Sequence, residues 1–242
     1  MRIVMIGTGY VGLVSGVCFA DFGHEVICVD KDVTKIEMLK SGEVPIFEPY
    51  LENLICKNVR ASRLKFTTDL KTSMKGSDVV FIAVGTPSRR GDGHADLSYV
   101  YEAAKDISKN IEKYTVIVTK STVPVGTGDE IEKVMSKNHS IEKFSVVSNP
   151  EFLREGAAIK DFKHPDRVIV GTESPNAIQV MKAVYRPLFI NETPILFTSR
   201  RTSELIKYAS NSFLATKISF INEMADLCEN LEADVQTVAR GI

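Results

Sequence analysis

A β-branched run that ends in glycine and passes at once into helical periodicity restricts this chain more than any other feature. Arg2-Ile3-Val4-Met5-Ile6 reads as a short buried strand, and Gly7-Thr8-Gly9-Tyr10-Val11-Gly12 as a G-x-G-x-x-G turn. Val11, Val14, Val17 and Cys18 then recur at helix spacing. Gly7 permits the tight turn, Gly9 lets backbone approach a pyrophosphate, and Gly12 lets helix and strand pack closely. The helix start, with the amides of Tyr10 and Val11, offers donors and a positive dipole end to an anion. A second strand, Glu25 to Asp30, follows Gly23-His24, and a helix from about Val33 to Lys40 is closed by Gly42. Asp30 thus stands 18 residues past Gly12, where a carboxylate accepts hydrogen bonds from an adenosine ribose and repels a 2′-phosphate. NAD is therefore expected over NADP. Lys35 has two readings, a partner of Asp30 near that ribose or an ordinary solvated lysine.

Beyond this βαβ unit the alternation continues. Asp78 to Val84, Thr115 to Thr119 and Phe144 to Ser148 read as buried strands, separated by helical segments near 97–110 and 127–137. Arg167 to Gly171 and Pro194 to Phe197, with a helix over about 175–185, read as extensions of the same sheet. The expected class is α/β, a Rossmann-like doubly wound parallel sheet covered on both faces. From Thr202 the pattern becomes one long helix to about Leu231, whose stripe includes Leu205, Ile206, Ala209, Phe213, Ile218, Ile221, Met224 and Cys228. It is too long for a crossover. It suits a connector between domains, a surface for a partner chain, or the core of a small helical domain. The domain reading is therefore 1–199 for the sheet and 200–242 for the start of a helical domain.

The 242 residues carry 30 basic and 31 acidic side chains, interspersed, so no cationic field implies a nucleic-acid or membrane partner. No apolar run approaches a spanning helix or a secretory leader, which makes a cytoplasmic location the default expectation. Cys18, Cys28, Cys56 and Cys228 lack metal-ligand spacing and read as buried structural thiols. His24, His94, His139 and His164 fall in turns or loops and read as exposed polar residues, with no metal expected.

Three more loops follow strand ends: Gly85-Thr86-Pro87, Lys120-Ser121-Thr122-Val123-Pro124-Val125-Gly126-Thr127 and Asn149-Pro150-Glu151-Phe152-Leu153-Arg154-Glu155-Gly156. In an open α/β sheet that edge binds ligands, so these loops converge with the glycine turn on one crevice. Together with Glu204 to Ala215 they strongly resemble the UDP-glucose/GDP-mannose dehydrogenase family, over essentially the whole chain. The Asn149 to Gly156 loop is similar to that of the UDP-glucose enzymes and unlike that of the N-acetylmannosamine branch.

The resemblance implies oxidation of a nucleotide sugar, UDP-glucose, at C6 to the carboxylate of UDP-glucuronate, with two NAD used in succession and a thioester that water cleaves. It implies that Thr122 orients a water and contacts cofactor, that Glu151 assists thioester hydrolysis, and that Glu155 lies beside nicotinamide and substrate. Phe152, Leu153 and Gly156, with Arg154 nearby, would lie against the sugar and diphosphate. Lys207 and Asn211, four apart on one helix face, can converge on a developing oxyanion, and by resemblance are the family's active-site pair. From pattern alone, such a polar pair is a solvated face. The resemblance also implies a homodimer through the long helix. The family's nucleophilic cysteine lies in a glycine-rich stretch that these residues do not include, and none of the four cysteines replaces it. The expectation is a chain lacking that residue and the carboxy-terminal nucleotide-sugar domain, inactive by itself. The competing readings are a GDP-mannose dehydrogenase, a β-hydroxyacid dehydrogenase, and a non-catalytic NAD-binding or dimerisation module.

Overall fold

The computed structural model describes residues 1–242, the side chain of Asn191 excepted. The chain divides into two compact units, Met1–Glu204 and Leu205–Ile242. In the first, β1 (Arg2–Ile6), α1 (Tyr10–Asp21) and β2 (Glu25–Val29) form the opening βαβ unit. Next come α2 (Val33–Ser41), α3 (Leu51–Arg60), β3 (Leu64–Thr67), α4 (Leu70–Met74) and β4 (Val79–Ile82). The rest of the unit is α5 (Ser98–Ser108), β5 (Thr115–Thr119), α6 (Thr127–Ser136), β6 (Phe144–Ser148), α7 (Ala158–Lys163), β7 (Val168–Gly171), α8 (Pro175–Val184) and β8 (Ile195–Thr198). Helix α9 (Arg200–Asn230) starts in the first unit, and the second unit holds its remainder and α10 (Val235–Gly241).

The sheet order is β3-β2-β1-β4-β5-β6-β7-β8. Strand order reverses between β1 and β4, which pair in parallel from Ile3↔Val79 to Ile6↔Ile82, and the switch point falls there. Period-two alternation splits the core between two faces. Ile3, Met5, Cys28, Phe81 and Val118 pack with α1, α3, α7 and α8, where Phe19 meets Phe81, Phe162 and Tyr185 with centroids 4.9, 5.0 and 5.5 Å apart. Val4, Ile27, Val80, Ile82 and Ile117 face α4, α5 and α6 instead.

The doubly wound sheet stands as expected, with one correction. Strands β7 and β8 are parallel to each other but join β6 antiparallel, through Ser148↔Gly171 alone. The 19 residues that join β6 to β7 hold the 149–157 loop and the six-residue α7, whose Phe162 packs on the α1 side of the sheet. The chain enters β7 from the edge where β6 ends. The segment 43–77, to which sequence gave no elements, holds α3, β3 and α4, with β3 at the sheet edge beside β2.

His24 corrects the reading of exposed histidines. It is buried at the mouth of β2, its Nε2 lies 2.9 Å from the Val184 carbonyl, and burial lowers its pKa. His139 likewise meets the Ser108 carbonyl. Cys18 and Cys28 are buried as read, and burial pushes both thiols up to about 12. No helix of the described residues is long and apolar enough to cross a membrane.

Candidate functional site: a dinucleotide crevice at the switch point

The turn after β1 has the shape the glycines require. Gly7 has φ +101° and donates to the Val29 carbonyl at 2.8 Å, and a Cβ there would stand 2.5 Å from the Ala83 oxygen. At Gly12 a Cβ would meet the Gly7 oxygen at 2.1 Å. Above Gly9, by contrast, a Cβ would meet nothing within 4 Å, so the room over the turn is open. The first intrahelical bond of α1 is Leu13 N–H to Gly9 O at 2.9 Å. The amides of Tyr10, Val11 and Gly12 therefore have no acceptor inside the helix, the N-cap has no side-chain bond, and no acidic residue occupies the first turn. A diphosphate fits that end on charge and on donors.

Asp30 closes the adenosine side. Its Oδ2 accepts from the Thr8 amide at 2.7 Å and the Thr8 hydroxyl at 2.6 Å, and its Oδ1 accepts from the Asp32 amide at 3.0 Å. Burial alone would raise its pKa, but these bonds and the charge of Lys35 outweigh it and hold the carboxyl below the usual range. The carboxylate is half-buried and keeps acceptor capacity for ribose hydroxyls. The Lys35 ammonium lies 3.9 Å from Asp32, whose side chain caps α2, so its direct partner is Asp32.

The other loops are stitched to this turn. The Thr86 hydroxyl donates to the Thr122 carbonyl at 3.0 Å, and the Ser121 hydroxyl to that of Val84 at 2.7 Å, which joins the loops after β4 and β5. Gly85 and Pro87 flank Thr86 and are exposed. Lys120, 4% exposed, reaches Asn149 Oδ1 at 3.3 Å, and Asn149 also accepts from Tyr185 at 2.6 Å, joining β5 to β6. The Tyr10 phenol bonds to Glu48 and accepts from the Gly156 amide at 2.9 Å, which links the glycine turn to the 149–156 loop. Burial and the Glu48 bond push this phenol up to about 12.

Within the 149–156 loop, Glu151 accepts from the Leu153 amide at 2.5 Å, and the Phe152 ring lies under the Arg167 guanidinium at 4.5 Å. Arg154 makes a bidentate pair with Asp161, at 2.6 and 3.0 Å, and Glu155 is exposed. Lys207 and Asn211 lie one turn apart on α9 in the second unit.

Sequence reasoning missed two buried carboxylates. Glu48, 7% exposed, accepts from Gly156 N–H at 2.9 Å and Ile159 N–H at 3.3 Å besides Tyr10, and so fixes the entry to α7. Glu204, 2% exposed, does the same for α6. Glu48 sits outside every motif, and Glu204 opens the Glu204 to Ala215 segment without having been given a role. Their partners are far away in sequence, and only a Glu beside Pro49 in an apolar loop hinted at the first.

The UDP-glucose/GDP-mannose dehydrogenase family model for the NAD-binding domain matches residues 1–189, and that for the central domain matches residues 201–242. The chain belongs to this family. It is 66% identical to UDP-glucose 6-dehydrogenase of Rhizobium meliloti over 244 residues, covering 100% of this chain and 56% of that protein. A UDP-glucose dehydrogenase structure from Pyrobaculum islandicum is similar with TM-score 0.92 and 40% identity, over 99% of this chain and 55% of the other. A GDP-mannose dehydrogenase from Pseudomonas aeruginosa gives TM-score 0.91 and 36% identity, over 99% and 56%. The chain spans about half the length of the curated relatives it matches. Family membership sets aside the β-hydroxyacid alternative. NAD, the cofactor of the matched domain, fits the bare α1 terminus and Asp30 and supplies the hydride acceptor when bound.

Proposed function

We propose that the whole protein is an NAD-dependent dehydrogenase that oxidises C6 of UDP-glucose to the carboxylate of UDP-glucuronate. The observation that carries the substrate is the identity of 66% with a UDP-glucose 6-dehydrogenase over the entire chain. In this reading the sheet domain runs to about residue 199 and a central helical domain begins at 200.

Gly7, Gly9, Tyr10, Val11 and Gly12 receive the pyrophosphate, and Asp30, with Lys35 at its edge, receives the adenosine ribose. Gly85, Thr86 and Pro87 border the middle of the dinucleotide. Thr122 and Glu155 serve the nicotinamide end. Glu151, Phe152, Leu153 and Arg154 line the sugar side, and Lys207 and Asn211 hold the oxyanion that develops when the alcohol gives up its proton. The Arg154–Asp161 pair supports a role for Arg154 in fixing the loop, since its guanidinium is already engaged. The thiolate such a reaction requires cannot come from Cys18 or Cys28, whose thiols burial keeps protonated. Exposed Leu205, Phe213, Leu214 and Ile218 on α9 support a homodimer through that helix, and a cytoplasmic site of action accords with a nucleotide-sugar substrate.

GDP-mannose is the second reading, favoured by the similarity to the Pseudomonas enzyme. Purified full-length protein with NAD, offered each nucleotide sugar, tests both through NADH absorbance. Turnover of UDP-glucose is expected; turnover of GDP-mannose alone would replace the first reading with the second.

A further inference from the structure

The start of α9 grips two loops at once. Glu204 Oε2 accepts from the Gly126 amide at 2.7 Å, and Oε1 from the Gly128 amide at 2.8 Å and the Ser148 hydroxyl at 2.9 Å. Ser203, fully buried, donates its hydroxyl to the Ser148 carbonyl at 2.8 Å. Gly126 ends the loop that carries Thr122, Gly128 lies in the first turn of α6 that follows it, and Ser148 is the residue from which the 149–156 loop departs. Around this carboxylate the fit is tight. A Cβ on Gly128 would meet Glu204 Oε1 at 3.0 Å and Ser148 Oγ at 3.1 Å. Arg200, one turn earlier on α9, clamps the flank of α6 through Asp129 and Glu132, both at 2.8 to 2.9 Å.

We propose that Glu204 is a positioning residue for the nicotinamide end of the crevice: its buried carboxylate sets the Thr122 loop and the 149–156 loop in register with one another. Only a carboxylate supplies two acceptor oxygens to two amides and a hydroxyl, and its charge also suits the N-terminal end of α6. A glutamine replaces one acceptor with a donor, which must turn toward Gly126, Gly128 or Ser148 and displaces whichever loop it faces.

The proposal rests on the reading that Thr122 serves the nicotinamide half of NAD, and ADP-ribose, which lacks nicotinamide, separates the two ideas. Affinities of this chain for NADH and ADP-ribose are measured by calorimetry for the unaltered protein, Thr122→Val, Glu204→Gln and Gly128→Ala. The unaltered protein is expected to bind NADH more tightly than ADP-ribose. Both Glu204→Gln and Gly128→Ala are expected to weaken NADH roughly tenfold, as for one lost charge-assisted hydrogen bond, and to leave ADP-ribose within about twofold. Should Glu204→Gln fail to fold, Gly128→Ala, which presses on the same oxygen from the other side, decides alone. Equal loss of both ligands, or no loss of either, overturns the proposal while Thr122→Val still discriminates. If Thr122→Val does not discriminate, the underlying reading of Thr122 falls and the proposal with it.

Discussion

Asp30 and Glu204 hold the same set of donors: each carboxylate accepts from two backbone amides and one hydroxyl, all between 2.6 and 3.0 Å. What separates them is exposure and sequence distance. Asp30 is half-buried at the rim of the crevice, and its donors Thr8 and Asp32 are on the strand ends beside it. Glu204 is 2% exposed, and its donors lie 56 to 78 residues away. One hydrogen-bond pattern thus serves two ends. At the rim it preforms a charge for a ligand, and in the interior it ties loops together.

The largest effect expected from this comparison is on stability. Glu204→Ala leaves two amides and a hydroxyl without partners in a dry site and is expected to cost about 3 kcal/mol of unfolding free energy in a urea titration. For Asp30→Ala the same titration is expected to show a smaller loss, about 1–2 kcal/mol, because the Asp32 amide is exposed to water and only the two donors of the buried Thr8 lose their partner. Equal losses would break the distinction. Gly12→Ala pushes a Cβ to 2.1 Å from a backbone oxygen, with an expected cost of about 2 kcal/mol and loss of NADH binding; a fully stable variant that still binds would refute the close packing of α1 on the turn.

Acid titration sharpens the contrast between paired and ligand-facing carboxylates. Asp21, although burial opposes its ionisation, is held at about 2 by hydrogen bonds and charge from Lys163 and Lys57. Its lowered folded pKa means the unfolded chain takes up the proton first. Its contribution is whole above about pH 4 and is lost as pH falls through about 2, on the order of 1–2 kcal/mol. Asp21→Asn should flatten that part of the stability curve, and an unchanged slope would remove Asp21 from the account. Smallest of all, Lys35→Ala gives up an exposed contact at 3.9 Å and is expected to change stability by less than about 0.5 kcal/mol. A tenfold loss of NADH affinity in that variant would instead put Lys35 at the ribose.

The same divide, local against distant, explains what the sequence disclosed. Strands β1, β2, β4, β5 and β6 announce themselves as β-branched runs, and the turn after β1 is written in adjacent glycines. Helix α3 carries Leu51, Leu54, Ile55 and Asn58 at helical spacing, a signal that was there to be read. Strand β3, four residues with Lys65 exposed at the sheet edge, offers little pattern. The antiparallel joint of β6 and β7 leaves no mark in the residues of either strand. His24 follows a turn glycine, and only the chain packed over it from Val184 buries it. Four loops at one sheet edge follow from strand order, but Glu48, Lys120 and Glu204, which brace them, have partners that no local pattern names.

The central claim is that a bare helix terminus and the Asp30 carboxylate together hold NAD, and titration of NADH and NADPH into this chain by calorimetry tests it most directly. The account requires NADH to bind with NADPH at least about tenfold weaker, and Asp30→Ala to abolish most of that preference. Equal affinity for the two dinucleotides, or a preference that survives the loss of Asp30, would contradict it.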